Sequence, residues 1–162
     1  MLHKPTIMML IGPPGSGKST WIKQFMENDS NDWTVISTDV FIEKYAAEQG
    51  ITYSEAFYKL PFKTKTKFNI ALREAVNKKK HIIWDQTNLS IKIRRKKMLQ
   101  TPKYVHKAVA FELDYDELFR RLEKRQNETG KSVSDKIVNQ MIETYERPTK
   151  SEGFVSVELI IS

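Results

Sequence analysis

The run Gly12-Pro13-Pro14-Gly15-Ser16-Gly17-Lys18-Ser19 has the spacing glycine, four residues, Gly-Lys-Ser. Glycines let successive backbone N–H groups turn inward around an anion, and a helix beginning near Lys18 aims its positive end at the same point. Such a loop holds the phosphates of a nucleotide, with Lys18 reaching the β- and γ-phosphates and the Ser19 hydroxyl ligating magnesium. Thr20 adds a second hydroxyl, which either touches the α-phosphate or completes the first helical turn. ATP and Mg2+ are the expected ligands.

Two carboxylates stand where they can act on an acceptor. Asp39 follows the apolar run Trp33 to Ile36, and Asp85 closes the run His81 to Trp84. A carboxylate that takes a proton from a hydroxyl, and holds it in line with the γ-phosphorus, turns a phosphate loop into a phosphotransferase. Asp39 fits that role, although an Asp after Ser37 and Thr38 also caps helices. Asp85 takes the position of a carboxylate that touches the metal shell or orients a catalytic neighbour, or else forms a turn with Gln86, Thr87 and Asn88. Arg121 and Arg125, four apart on one expected helix, can bring two guanidinium groups to triphosphate oxygens. The surrounding Glu117, Arg120, Glu123 and Lys124 describe a solvated charged face equally well.

The elements that must position these groups alternate strand and helix. Thr6 to Ile11 is an apolar strand that stops at Gly12, and Trp21, Ile22, Phe25 and Met26 recur at helical spacing behind Lys18. The helix breaks up in the polar run Asn28 to Asp32. Strands follow at Trp33 to Ile36, His81 to Trp84, Val105 to Phe111 and Val155 to Ile161. Helices are expected over about Val40 to Glu48, ended by Gly50, over Ser54 to Lys79 with a break at Pro61, and over Ser90 to Leu99, Tyr115 to Gln126 and Ser134 to Tyr145. Gly130 joins the last two. This pattern predicts an α/β fold, a mainly parallel five-stranded sheet with helices on both faces, whose ligands bind beyond the carboxyl ends of the strands. One domain is expected, with residues 118–135 as a helical lid.

The chain has 162 residues, 40% hydrophobic and 29% charged, enough for one core without staples. It has no cysteine, which excludes disulfides, a thiolate zinc site and a cysteine nucleophile, and suits a reducing cytoplasm. Met1 to Pro5 is too short for a signal peptide, and no apolar stretch approaches the roughly 20 residues of a membrane span. A cytoplasmic protein with no membrane partner is expected. The 27 Lys and Arg against 20 Asp and Glu favour polyanionic partners.

Together these motifs resemble the 5′-hydroxyl polynucleotide kinase domains of phage RNA-repair enzymes and of metazoan polynucleotide kinase/phosphatases. The resemblance rests on Gly12 to Ser19 with the following Thr20-Trp21, on Asp39, on Asp85-Gln86-Thr87-Asn88, on the pair Arg121 and Arg125, and on Tyr145-Glu146-Arg147-Pro148-Thr149 through Gly153-Phe154. It implies a P-loop kinase in which Asp39 is the general base for a 5′-hydroxyl, Lys18 and Ser19 handle phosphates and magnesium, and Arg125 stabilises the transferring phosphoryl. Asp85 is implied as an essential carboxylate, either on the acceptor side or behind a group that touches the substrate. A ligase partner follows by the same analogy. The phage-type pattern carries an arginine three residues after the catalytic aspartate, where this chain has Ile42, so acceptor placement there must differ. Asp114-Tyr115-Asp116 lacks the turn residues of an aspartyl phosphatase, and no 3′-phosphatase activity is expected.

A polynucleotide acceptor needs cations, and the chain offers Lys63, Lys65 and Lys67, Lys78 to Lys80, and Arg94 to Lys97. Phe57, Tyr58, Phe62 and Phe68 accompany the first group, and aromatics so spaced more often pack a core than stack on bases. Two other readings use the same residues: a kinase of nucleosides, sugars or antibiotics, and a non-catalytic module that binds ATP or nucleic acid.

Overall fold

The computed structural model describes residues 3–162, leaving aside the side chains of residues 61–63, which include the Phe62 and Lys63 named above. The strands are Thr6–Ile11 (β1), Trp33–Ser37 (β2), His81–Asp85 (β3), Val105–Glu112 (β4) and Ser156–Ile161 (β5). They form one sheet in the order β2-β3-β1-β4-β5, and every neighbouring pair is parallel. The chain leaves β1 toward one edge and later crosses back over it from β3 to β4. That reversal opens a crevice beyond the carboxyl end of β1, where open parallel sheets bind ligands. The register Leu10 to Asp85 and Ser37 to Asp85 brings the ends of β1, β2 and β3 level.

The helices are Lys18–Asn28 (α1), Thr38–Gln49 (α2), Tyr53–Lys59 (α3), Pro61–Asn77 (α4), Ile91–Gln100 (α5), Tyr115–Thr129 (α6) and Asp135–Thr144 (α7). The expected break at Pro61 is present, since Leu60 separates α3 from α4 and Pro61 opens the new helix. Helix α2 starts two residues earlier than expected. Ser37 is its N-cap and Asp39 lies inside the first turn, so Asp39 is not a cap. None of the described helices is long and apolar enough to cross a membrane.

Side chains alternate along β1 and so feed both faces. Met8 and Leu10, with Ile83, Val109 and Phe111, receive Trp21, Ile22 and Phe25 of α1. On the other face Ile7, Ile82 and Trp84 pack on Phe68, Leu72 and Ala75 of α4, while Met9 and Ile11 pack on Phe154. Each aliphatic side chain fully buried on β1 contributes about 1.5–3 kcal/mol. The strand feeding the glycine loop is thus firmly held. Leu118, Leu122 and Val138 make a separate small cluster that joins α6 to α7.

Two groups of expected acceptor cations are corrected. Lys78 to Lys80 lies just before β3, at the amino ends of the strands, where Lys80 pairs with Asp32 ahead of β2. Arg94 is fully buried. Its Nε and Nη2 donate to Glu152 at 2.8 and 3.0 Å, and its Nη1 donates to the carbonyls of Asn88 and Leu89, both at 2.9 Å. It fastens the start of α5 to the turn after β3 and to the closing segment. Tyr145 and Arg147 both donate to Glu112 and Phe154 is buried, so that segment is also architectural. Arg94→Lys keeps the charge but loses the planar fork that serves three partners. It is expected to cost about 2 kcal/mol in a denaturant melt.

Candidate active site

The loop between β1 and α1 is tied to the turn after β3, because the Gly12 N–H donates to the Thr87 carbonyl at 3.0 Å. A Cβ on Gly12 would lie 2.7 Å from Ser16 Oγ and 3.2 Å from Phe111 Cβ, so the loop closes only with glycine there. Gly17 caps α1 at φ 105°, a left-handed conformation that side chains resist, and no side chain caps the helix. The first N–H groups of α1 are left for a ligand. Lys18 Nζ donates to the carbonyls of Gly12 and Pro13 at 2.6 and 3.1 Å. Burial holds its pKa down to about 8, against the opposing pull of Asp85 and Asp39.

Ser16 Oγ is buried and among the described residues has no hydrogen-bond partner, an arrangement that costs about 1–3 kcal/mol unless a ligand satisfies it. An orphaned hydroxyl, an uncapped helix start and a buried ammonium around a glycine cradle fit a triphosphate. Among the described residues no three His, Asp or Glu side chains cluster as a metal site. Magnesium would therefore depend on Ser19 and phosphate oxygens, as is usual for this ion.

Asp85 ends β3 beside this loop. Burial raises its pKa, while Lys18 and a hydrogen bond from Ser37 pull it back down. Thr87 and Asn88 shape the same turn: Asn88 is buried at positive φ and its amide donates to the Leu10 carbonyl at 2.8 Å.

Asp39 projects from the first turn of α2. The Tyr53 hydroxyl of α3 donates to its Oδ1 at 2.5 Å, and Arg125 Nη2 of α6 stands 3.8 Å from its Oδ2. Burial, and then the Asp39 charge and hydrogen bond, push the Tyr53 pKa up, so the hydroxyl keeps its proton and remains a donor. Arg121, the companion of Arg125, donates to Glu117 at 2.8 Å and to the Ser16 carbonyl at 3.5 Å. The paired arginines therefore face the loop, while Arg120 is turned outward onto Glu117.

A cavity of about 670 Å3 covers the loop and is lined by Pro14 to Thr20, Asp39, Asp85, Arg121 and Arg125. A second cavity, of about 520 Å3, lies between α2, α4 and α5, with Asp39, Thr38, Trp84, Gln86, Lys65, Lys96 and Lys97 in its walls. Asp39 lines both. A smaller space, bordered by Lys18, Asp39, Asp85 and Lys97, lies between them. Every residue singled out by sequence for phosphate or acceptor chemistry from Gly12 to Thr20, together with Asp39, Asp85, Arg121 and Arg125, borders this region or shapes its loop. Phe68 is core, packed on Trp84, whereas Phe57 is half exposed at the second cavity.

Sequence reasoning missed Tyr53, Lys131 and the individual role of Lys97. Lys131 pairs with Glu43 and stands 4.9 Å above the Tyr53 ring, tying the loop after α6 to α2 and α3. Lys97 donates to Gln86 at 2.7 Å and to Asn88, and burial holds its pKa down to about 8. The capping box Thr52 to Glu55 was the available signal for Tyr53, because it fixes the start of α3 one residue ahead of Ser54. Lys131 carried no comparable pattern.

Residues 7–148 match a family described as an AAA domain. Transcription factor bHLH140 of Arabidopsis thaliana is 27% identical over 155 residues, 93% of this chain but only 15% of that protein. A chain of the Pnkp1/Rnl/Hen1 RNA repair complex superposes with a TM-score of 0.70 at 22% identity, covering 89% of this chain and 45% of that one. A gluconokinase from Sinorhizobium meliloti superposes with a TM-score of 0.57 at 18% identity, covering 99% of this chain and 84% of that one. This chain thus spans less than half the length of the first two relatives, and the two structural likenesses are likenesses of fold. Matched over most of its length, with a parallel sheet feeding a glycine loop, the chain belongs to the AAA domain family and has the α/β P-loop kinase fold.

Proposed function

We propose that this chain is an ATP- and Mg2+-dependent kinase that phosphorylates the 5′-hydroxyl end of DNA or RNA and has no 3′-phosphatase activity. The observation that carries the reading is the position of Asp39 in the walls of both cavities, one over the phosphate loop and one open to an acceptor. Lys65, Lys96 and Lys97 surround the second cavity, and among the described residues none has a carboxylate within ion-pair distance. Such a ring suits an acceptor that brings its own negative charge.

In this reading Asp39 accepts the hydroxyl proton as the acceptor oxygen bonds to the γ-phosphorus and the bond from that phosphorus to the bridging oxygen breaks. Tyr53 holds one oxygen of Asp39 in place. Lys18, Arg121 and Arg125 neutralise the charge that develops on the phosphoryl oxygens. Bound magnesium, held through Ser19, would supply further charge neutralisation. Asp85 orients Lys18 from the acceptor side, and residues 118–135 serve as the lid of a single domain. The product, a 5′-phosphate end, is what a ligase consumes, and a fold relative from an RNA repair complex supports that setting. A cysteine-free chain suits the cytoplasm.

An acceptor panel at two salt concentrations tests this reading. A 5′-hydroxyl oligonucleotide should accept label from ATP with a KM that rises steeply with salt, while a free nucleoside and gluconate do not react. Phosphorylation of a small neutral acceptor, insensitive to salt, would replace the polynucleotide assignment with a small-molecule one.

Lys18 adds a pH prediction. Its folded pKa of about 8 lies below the ordinary 10.5, so the ammonium that phosphates need is lost as pH rises through 8. ATP affinity should weaken roughly eightfold between about pH 7.5 and 9 in equilibrium titrations, and Lys18→Arg should flatten the profile. By the same linkage, this depressed pKa adds stability as pH rises from about 8 toward 10.5. Deprotonation of Lys18 thus weakens ATP binding without itself destabilising the fold.

A further inference from the structure

Helix α5 carries Lys92, Arg94, Arg95, Lys96 and Lys97 and no acidic residue. Arg94 is turned inward to Glu152 and Lys97 lies against Trp84. Lys92, Arg95 and Lys96 are exposed, and with Leu99, 74% exposed, they fall at the i, i+3, i+4, i+7 spacing of a single helix face. Among the described residues none of these three cations has a carboxylate within ion-pair distance, whereas on α6 Arg120, Arg121 and Lys124 each meet a glutamate of their own helix. A helix face kept only for solubility interleaves charges as α6 does. An unmatched stripe raises a local positive potential that a polyanion would satisfy.

The stripe continues the acceptor site. Lys96 lines the second cavity together with Ile93 and Lys97, and it also lines a shallow surface groove of about 460 Å3 with Lys92, Arg95 and Leu99. Glu146, the acidic side chain at that groove, accepts from the Ile91 N–H at 3.4 Å, at the start of α5. We infer that the outer face of α5 is the track of the acceptor strand: nucleotides behind the reacting 5′ end leave the cavity at Lys96 and lay their phosphates over Arg95 and Lys92. The helix advances about 6 Å from Lys92 to Lys96. Leu99 offers an apolar platform to a sugar or base on the same face. This inference rests on the polynucleotide reading and adds a direction and a footprint to it.

The test compares acceptors of two lengths, a 5′-hydroxyl dinucleotide and a single strand of about 12 nucleotides, a span typical of single-strand binding sites. It uses wild type and the double variant Lys92→Glu with Arg95→Glu. The variant should melt as wild type does, since both side chains are exposed. Its KM for the longer strand should rise about tenfold or more at low salt, with the salt slope flattened by about 1–2, while KM for the dinucleotide and for ATP stays within about twofold. No change for the longer strand, or an equal rise for both lengths, would overturn the track. Absence of transfer to either length by wild type would instead remove the polynucleotide reading, and this inference with it.

Discussion

Replacing Asp39 by Ala should lower the single-turnover rate of phosphoryl transfer about 10³-fold and leave ATP binding within about twofold. Among the described residues no other carboxylate lines both large cavities, since Asp85 borders the phosphate side and the smaller space between them. The measurement belongs near pH 7, because Asp39 helps keep Lys18 protonated and its removal would otherwise weaken ATP binding indirectly. Asp39→Asn should be almost as slow, since an amide preserves the shape but cannot take the proton. Loss of ATP affinity in step with rate would mean that Asp39 serves the loop rather than the acceptor.

Arg125→Ala is expected to have an effect of similar size, a loss of about 10³-fold or more in kcat, because a guanidinium placed against a transferring phosphoryl acts mainly in the transition state. Arg125 stands 3.8 Å from Asp39 and lines the loop cavity, so a small movement places it between base and phosphate. Arg125→Lys should recover little, because a point charge lacks the planar fork. Arg121→Ala should act more on the KM for ATP, since Arg121 already contacts the Ser16 carbonyl of the loop. A fall in ATP affinity with unchanged kcat for Arg125→Ala would assign it to ground-state binding instead.

Much of this site was legible in the sequence because the residues that make it are local. Gly12 to Ser19 is one contiguous turn, Asp39 lies two residues beyond an apolar strand and Asp85 closes another. A parallel sheet then brings all three to one rim without any further information. Arg94 shows where such reasoning stops. In sequence it is one more cation in Arg94 to Lys97, and only the fold reveals that Glu152, 58 residues away, claims it. Lys78 to Lys80 failed for a related reason: composition counts charges, but in a parallel sheet the residues before a strand lie at the end opposite the site. The partners of Tyr53 and Lys131 lay beyond sequence reasoning, because Asp39 and Glu43 sit on a different helix and meet them only after α2, α3 and the loop past α6 pack together. Ile42 stands where the phage-type pattern has arginine; it is buried and lines the second cavity, whose cations come instead from α4 and α5.

In the proposed reaction Asp39 joins a nucleotide site to a hydroxyl acceptor site. Transfer of labelled γ-phosphate from ATP with magnesium to the 5′-hydroxyl and 5′-phosphate forms of one oligonucleotide, by wild type and Asp39→Ala, tests it most directly. Labelling of the hydroxyl form alone, lost in the variant, is the expected result. ATP binding without labelling of the hydroxyl form, or equal labelling by the variant, would contradict it.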